Sequence, residues 1–509
     1  GPGQLQWKGA EEQGQPEQRQ ASAEEWRTGP FQMDADEPVK ITWQDSMTFD
    51  MSEGLAVFQG QTTVEQGEDS LSCDRLDVGF SDGNRELRSI EARGQVGMRD
   101  RLTGVVREVL SERLLWDARR GIIELTAAEG ETVTIRSGAL SIAAARVVFD
   151  NAQQVLRCPE GGKLSVEPET ADPAADTPAD PTTVEWQGLM EFRQSPRTVA
   201  RFRGGAMARR AREMIKGEEL LAEFDEDMRL ARLTATGGAL VEVHSLAGEA
   251  ARPGEEPPLP DIAGVEGERW RLECESVTLA PLQRMIRSGT PGSLTVLGAD
   301  APSGTIGWSK SMSLDSAEGY ALFEGDIQAD VPGAELSSDE LRLDFEQTGQ
   351  LHHARAQGNV LFVSRGKDGW QMSSQSAQGV FAAGNVLRQF IARGEVEIID
   401  KSRALYAERV QLFLEQLEGR EQPVIDRAVA ERDVWVWYEQ EERLEAGGDR
   451  LEWERETDTY VLTGDPHAYV RRGNIRTQNW KVMLRRASGE MELPPGDRPV
   501  TITVESEGQ

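Results

Sequence analysis

Read with a period of two, Ala321, Phe323, Gly325, Ile327 and Ala329 fall on one face of an extended segment, while Leu322, Glu324, Asp326 and Gln328 fall on the other. That alternation is the pattern of a half-buried β-strand. A close variant recurs along the chain as Phe58-Gln59-Gly60, Ala92-Arg93-Gly94-Gln95-Val96, Phe202-Arg203-Gly204, Ala235-Thr236-Gly237, Ala356-Gln357-Gly358-Asn359-Val360, Ala392-Arg393-Gly394-Glu395-Val396 and Leu462-Thr463-Gly464-Asp465. Glycine weakens a strand interior, so glycine at one fixed register predicts a bend, a bulge or the close approach of another backbone. A second pattern alternates with the first: an apolar residue, a small one two later, then apolar residues three and five beyond that. Leu336, Ser338, Leu341 and Leu343 show it, as do Leu71-Cys73-Leu76-Val78, Val109-Ser111-Leu114-Trp116 and Leu272-Cys274-Val277-Leu279. Together the patterns predict an all-β, elongated antiparallel chain built from tandem repeats of two to four strands each. Only 207–222, where Met207, Ala211, Met214 and Ile215 are suitably spaced, reads as one or two turns of helix.

A longer repeat is superimposed on these. Trp43-Gln44-Asp45-Ser46-Met47-Thr48-Phe49, Trp186-Gln187-Gly188-Leu189-Met190-Glu191-Phe192 and Trp308-Ser309-Lys310-Ser311-Met312-Ser313-Leu314 begin alike and open three large units. The opening Pro2-Gly3-Gln4-Leu5-Gln6-Trp7 resembles Pro291-Gly292-Ser293-Leu294-Thr295-Val296, and so reads as the closing strand of a preceding repeat. The expected organisation is a tail strand plus acidic linker at 1–40, a first unit at 41–168, and a Pro, Asp and Ala-rich linker at 169–183. A second unit at 184–298 carries an acidic, Pro-rich loop at 249–264, and a third, extended unit covers 299–509. Each opening Trp is expected to cap its unit against water or to pack against the preceding Gly-x-Leu strand.

Composition narrows the chemistry. The 509 residues carry a formal charge of −32, which excludes a generic nucleic-acid binder. Hydrophobic residues make up 38% and the mean hydropathy is −0.52, too little for a thick core, while 51 glycines and 23 prolines punctuate the chain. Cys73, Cys158 and Cys274 are too few and too scattered for a disulfide framework or a thiolate metal site. Cys73 and Cys274 hold equivalent repeat positions, which argues against their pairing. His352 and His353 are expected to face opposite sides of a strand. No nucleophile elbow, phosphate loop, zinc signature or spaced catalytic pair occurs, so nothing in the sequence supports an enzyme or a cofactor.

The order of these motifs resembles the OstA-like family of lipopolysaccharide transport proteins, which includes LptA, LptC and the amino-terminal domain of LptD. The resemblance is carried by Ala56-Val57-Phe58-Gln59-Gly60 through Ile90-Glu91-Ala92-Arg93-Gly94-Gln95-Val96, and by Ala321-Leu322-Phe323-Glu324-Gly325-Asp326-Ile327 through Ala356-Gln357-Gly358-Asn359-Val360. It implies a partly open β-jellyroll, V-shaped in section, and a non-enzymatic periplasmic bridge carrying lipopolysaccharide or a related acyl lipid toward the outer membrane. Met47, Phe49, Phe58, Val96, Phe323, Ile327, Val360, Phe362 and Val396 are the expected groove-facing, lipid-binding residues. The implied partners are that lipid, other lipopolysaccharide transport components joined by edge-strand pairing, and further copies added head to tail. The reading from a different class is a β-solenoid scaffold that binds proteins at its surface and edges. It predicts a dry interior.

Overall fold

A computed structural model describes residues 1–7, 38–81, 86–102, 105–167, 181–193, 197–210, 213–225, 230–244, 269–297, 302–346, 350–365, 369–382, 386–416, 424–439, 443–485, 490–495 and 500–504. These residues are overwhelmingly antiparallel β. A 3₁₀ turn at Pro281–Gln283 is the one helical element among them, and no helix there is long and apolar enough to cross a membrane. The chain divides into two compact units, one of residues 1–241 with 280–282, the other of 242–279 with 283–509. Most of the expected linkers, at 8–37 and 169–180, and the whole loop 249–264 lie outside the described residues.

The helical reading of 207–222 is overturned. Residues 207–210 and 213–222 lie in the paired strands Val199–Arg210 and Glu213–Phe224, with Ala208 opposite Ile215 and Ala206 opposite Gly217, while Ala211 lies outside the described residues. A period of two places Ala206, Ala208, Ile215 and Gly217 on one buried face, so strand pairing overrides the short helical spacing.

The long strands bend by one repeated device. At eight places among the described residues two consecutive residues take left-handed φ: Gly60-Gln61, Gly94-Gln95, Gly204-Gly205, Gly237-Gly238, Gly325-Asp326, Gly358-Asn359, Gly394-Glu395 and Arg432-Asp433. Around seven of these pairs the register to a neighbouring strand slips, as from Gln59 to Thr62, Arg93 to Val96 and Gln357 to Val360. Each is a β-bulge, in which two residues oppose one and the strand bends with stronger twist. Gly358 shows why glycine recurs. Its φ is +74°, and a Cβ there would collide with the carboxylate of Asp339 on the neighbouring strand. Asn359, at φ +47°, donates from Nδ2 to that same carboxylate at 2.9 Å.

Elsewhere the bend is a complete break between two short strands. Val39–Trp43 gives way to Ser46–Asp50, Thr182–Trp186 to Met190–Arg193, and Pro302–Trp308 to Ser311–Asp315. The breaks dock on the neighbouring bulges: the N–H groups of Gln44 and Ser309 donate to the carbonyls of Gly60 and Gly325, at 2.8 and 2.7 Å. Bulges and breaks therefore fall in line, and every bent strand presents two inner-facing arms.

His352 and His353 also depart from expectation. Phe345 pairs with Leu351 and Asp344 with His353, so His352 is an extra residue in its strand and the two rings meet edge-on, 4.0 Å between centroids.

Replacing Gly358 with Ala is expected to cost about 1–3 kcal/mol in urea denaturation, because a left-handed backbone and a steric conflict are imposed together. Removing Asp339 in the same protein relieves the conflict but not the backbone strain, so the double variant recovers part of the loss. A neutral Gly358→Ala contradicts this account of the bend.

Candidate functional site

The arms on either side of each bend carry the apolar residues. In the first unit one arm aligns Phe58, Leu76, Ala92, Leu114 and Leu125 across neighbouring strands, with Ile90, Trp116 and Ile123 one inner position further out. The other arm aligns Val64, Leu71, Met98, Val109 and Ile135. Most charged positions lie outside, where they pair with one another: Glu91 accepts from Arg93 and Arg113 at 2.8 and 2.6 Å, and Arg342 meets Asp344 at 2.7 Å; Asp100 and Arg107 form a buried pair at 2.7 Å.

The recurring small residue sits opposite the residue that leaves the bulge. Cys73 faces Thr62, Ser111 faces Val96, Gly217 faces Ala206, Ser338 faces Ile327, Ser374 faces Val360 and Ala407 faces Val396. Two of these hydroxyls also serve the interrupted ladder: Ser338 Oγ donates to the Glu340 carbonyl at 3.0 Å and Ser374 Oγ to that of Ser376 at 3.2 Å. Cys274 Sγ makes the same contact with the Ser276 carbonyl at 3.3 Å. The three cysteines are free and buried, and burial pushes the thiols of Cys73 and Cys158 up to about 12 and raises that of Cys274.

Each opening Trp is fixed in one way. Trp43, Trp186 and Trp308 stand opposite Gly3, Gly162 and Gly292 on the preceding Gly-x-Leu strand, and each indole lies where a Cβ of that glycine would be. Each Nε1 donates to the carbonyl two residues before the glycine: Gly1 at 3.1 Å, Glu160 at 3.2 Å and Thr290 at 2.8 Å. Across the bend the rings meet Phe58, Phe202 and Phe323, with centroids 5.2, 5.3 and 5.6 Å apart. The expected packing on the Gly-x-Leu strand is met, and the Trp-Phe contact ties one arm to the other.

Of the groove-facing residues read from the sequence, Phe58, Val96, Phe323, Ile327, Val360 and Val396 are buried between the arms. Met47, opposite Phe58, is half-buried. Phe49 shares the face of Ala56 but is 41% exposed, because its short strand ends one residue later and its ring meets only the edge of Phe80 at 6.3 Å. Phe362 is half-buried; its ring lies 5.1 Å from Trp370 and, across the arms, 6.0 Å from Phe390, so aromatic contact closes the gap at that point. The arms of the first unit leave a small recess of about 20 Å³, lined by Val64, Leu71, Ile90, Met98, Leu114, Trp116 and Ile123. None of these seven was singled out as a lipid contact by sequence reasoning. Among the described residues no cluster of His, Cys, Asp or Glu is arranged to hold a metal ion.

Residues 44–155 match the family model of the LptA/(LptD N-terminal domain) LPS transport protein. The OstA-like resemblance read from the repeats holds for that stretch. Among solved structures the chain is similar to LptH, the LptA-homologous periplasmic component of the lipopolysaccharide transport device of Pseudomonas aeruginosa. Identity is 13% and the TM-score 0.21, over 28% of this chain and 90% of that one. It is also similar to TcdB2-TccC3 without its hypervariable C-terminal region, at 7% identity and a TM-score of 0.08, over 88% of this chain and 32% of that one. No curated protein matches the chain.

Two outcomes are expected from this geometry. Removing the Trp308 ring (Trp308→Ala) vacates a wholly packed site and is expected to cost about 3–5 kcal/mol, read as an earlier unfolding transition in calorimetry. The raised cysteine pKa values mean that thiolate forms only as pH climbs toward the folded-state value, so at pH 8 the native chain is expected to resist a thiol-reactive disulfide reagent. Three thiols react once the chain is unfolded in urea; rapid labelling of the native chain contradicts the burial.

Proposed function

We propose, with the family match of residues 44–155 as premise, that the chain is a non-enzymatic carrier of lipopolysaccharide or a related acyl lipid in the periplasm. The lipid rides on the apolar inner face of the bent strands toward the outer membrane. The observation that carries this reading is the recess between the arms, whose seven lining residues all fall inside the matched stretch and present aliphatic or aromatic side chains. Burial of acyl chains there gains about 0.8 kcal/mol for each methylene removed from water, while the acidic outer face repels phosphate-bearing headgroups and leaves the interior as the favourable place. Met47, Phe58 and Val96 in one unit, and Phe323, Ile327, Val360, Phe362 and Val396 in the other, lie on the inner face of their own strands, with Phe49 at the margin of the first.

Partners are other transport components or further copies, joined through strand edges. Among the described residues the far edge of Ile475–Arg485 holds the short strands Glu490–Glu492 and Thr501–Val504, whose Met491, Ile502 and Val504 are exposed. Such lightly covered edges favour strand addition. One observation favours the scaffold reading around residues 362–390: the rings of Phe362 and Phe390 bridge the arms there.

Photo-crosslinkers at Met47 and Trp116 are expected to capture lipid, and those at Gln59 and Asn359 to capture none. Acyl lipid is expected in an organic extract of the purified chain by mass spectrometry. Equal capture at inner and outer positions, with a lipid-free extract, supports the scaffold instead.

A further inference from the structure

In the second compact unit the outer face of the bent strands carries aromatic rings where the first unit carries paired charges such as Glu91 with Arg93 and Arg113. Ala407, Val434 and Ala468 face inward and are buried, so their chain neighbours Tyr406, Trp435 and Tyr469 face outward. Cross-strand register sets Glu397, Tyr406, Trp435, Gly447, Tyr469 and Gln478 in a single row. The rings of Tyr406 and Trp435 lie 5.1 Å apart between centroids. The Tyr469 ring occupies the space where a Cβ of Gly447 would be, and so leans toward Trp435 across the gap. From Tyr406 to Tyr469 the row covers three strand spacings, about 14 Å. The next outer row sets Trp437, Glu445, Arg471 and Arg476 in register. All four rings are half-buried, so part of each stays open to solvent.

Packing explains the rings, since aromatic neighbours across strands support a sheet, but it does not explain the charges beside them. Arg471 and Arg476 stand directly opposite each other, a like-charged pair that weakens strand pairing. The Arg476 guanidinium lies over the Tyr469 ring, 4.4 Å from its centroid, with Nε enclosed and lacking an acceptor. Among the described residues it meets no carboxylate, in a chain that has 88 Asp and Glu. Arg443 lies 5.6 Å from the Trp437 centroid and is held by Glu445 at 2.9 Å. Arg443, Arg471 and Arg476 against Glu397 and Glu445 leave the strip with a single positive charge. Rings edged by planar polar side chains suit a sugar chain: its C–H faces pack on the rings, and its hydroxyls meet Glu397, Gln478 and the arginines. One carboxylate completes Arg476 and balances the charge. A bilayer surface fits less well, because the rings are half-buried, two glutamates stand among them and the chain carries −32.

We propose that this outer strip binds an oligosaccharide bearing a carboxylate, with sugar rings on Tyr406, Trp435 and Tyr469 and the carboxylate on Arg476. The strip lies on the opposite face of the strands from the lipid path and stands independently of it. The rings supply affinity for any sugar chain of suitable length; Arg476 supplies the preference for an acidic one.

Isothermal titration calorimetry of the full chain with aldotetrauronic acid, a xylotriose bearing one methylglucuronate, tests the site against neutral xylotetraose and against phosphatidylglycerol vesicles. The acidic sugar is expected to bind about tenfold more tightly than the neutral one, the equivalent of one charge-assisted hydrogen bond. Trp435→Ala is expected to weaken both sugars about tenfold. Arg476→Gln is expected to bring the acidic sugar down to the affinity of the neutral one and to leave the neutral one unchanged. Its thermal midpoint is expected not to fall, since it removes one member of a like-charged pair, so the test stands even where Trp435→Ala unfolds the chain. No binding of aldotetrauronic acid, equal affinity for the two sugars, or an undiminished preference in Arg476→Gln overturns the proposal. Binding to the vesicles without binding to either sugar overturns it in favour of a membrane contact.

Discussion

Two consecutive left-handed residues inside a β-strand are the constraint on which the rest of this structure depends. A strand that ran straight through Gly94-Gln95 or Gly358-Asn359 would present one continuous apolar face to water or to a second sheet. With the bulge, its two ends turn that face inward against itself. Neighbouring strands must bend at the same level or lose their pairing. The side chain that follows the small residue, Asp74 in one strand and Asp339 in another, therefore lies over the glycine of the next. Where the chain breaks instead of bulging, the backbone of the break hydrogen-bonds to the adjacent bulge, and the column of bends continues.

Bending explains the unusual composition. A folded single layer needs apolar residues on one face only, so a chain with 38% hydrophobic content can still enclose an interior. The opposite face takes the charge, much of it as cross-strand or same-strand ion pairs such as Glu91 with Arg93 and Arg113, each worth little alone at an exposed surface. Near the bends the interior is held by buried contacts that cross from arm to arm, chiefly the Trp-Phe pairs. The arms thus stay close where Trp43, Trp186 or Trp308 sits, and the first unit leaves a small recess beside Leu71, Met98 and Trp116.

Much of this was legible because it is local. Alternation and the fixed glycine register are read within a dozen residues, and both the strands and their bulges follow from them. Local pattern failed where a single residue alters the register or where distant segments meet. Phe49 has the right parity for the interior but stands at the end of a short strand. His352 is an added residue that no alternation foretells, and the helical spacing at 207–222 gave way to a hairpin. The recess joins strands from Val64 to Ile123 across two arms, a proximity absent from any one repeat.

The central claim is that the inner face of the bent strands, in the stretch 44–155, receives an acyl lipid while the outer face does not. Spin labels at Trp116→Cys and Gln59→Cys test this directly, since the native thiols are buried with raised pKa values. On adding lipopolysaccharide to the full chain, electron paramagnetic resonance is predicted to show a label at 116 losing mobility and water contact while the label at 59 keeps both. Unchanged spectra at 116, or the same change at both sites, would contradict the account.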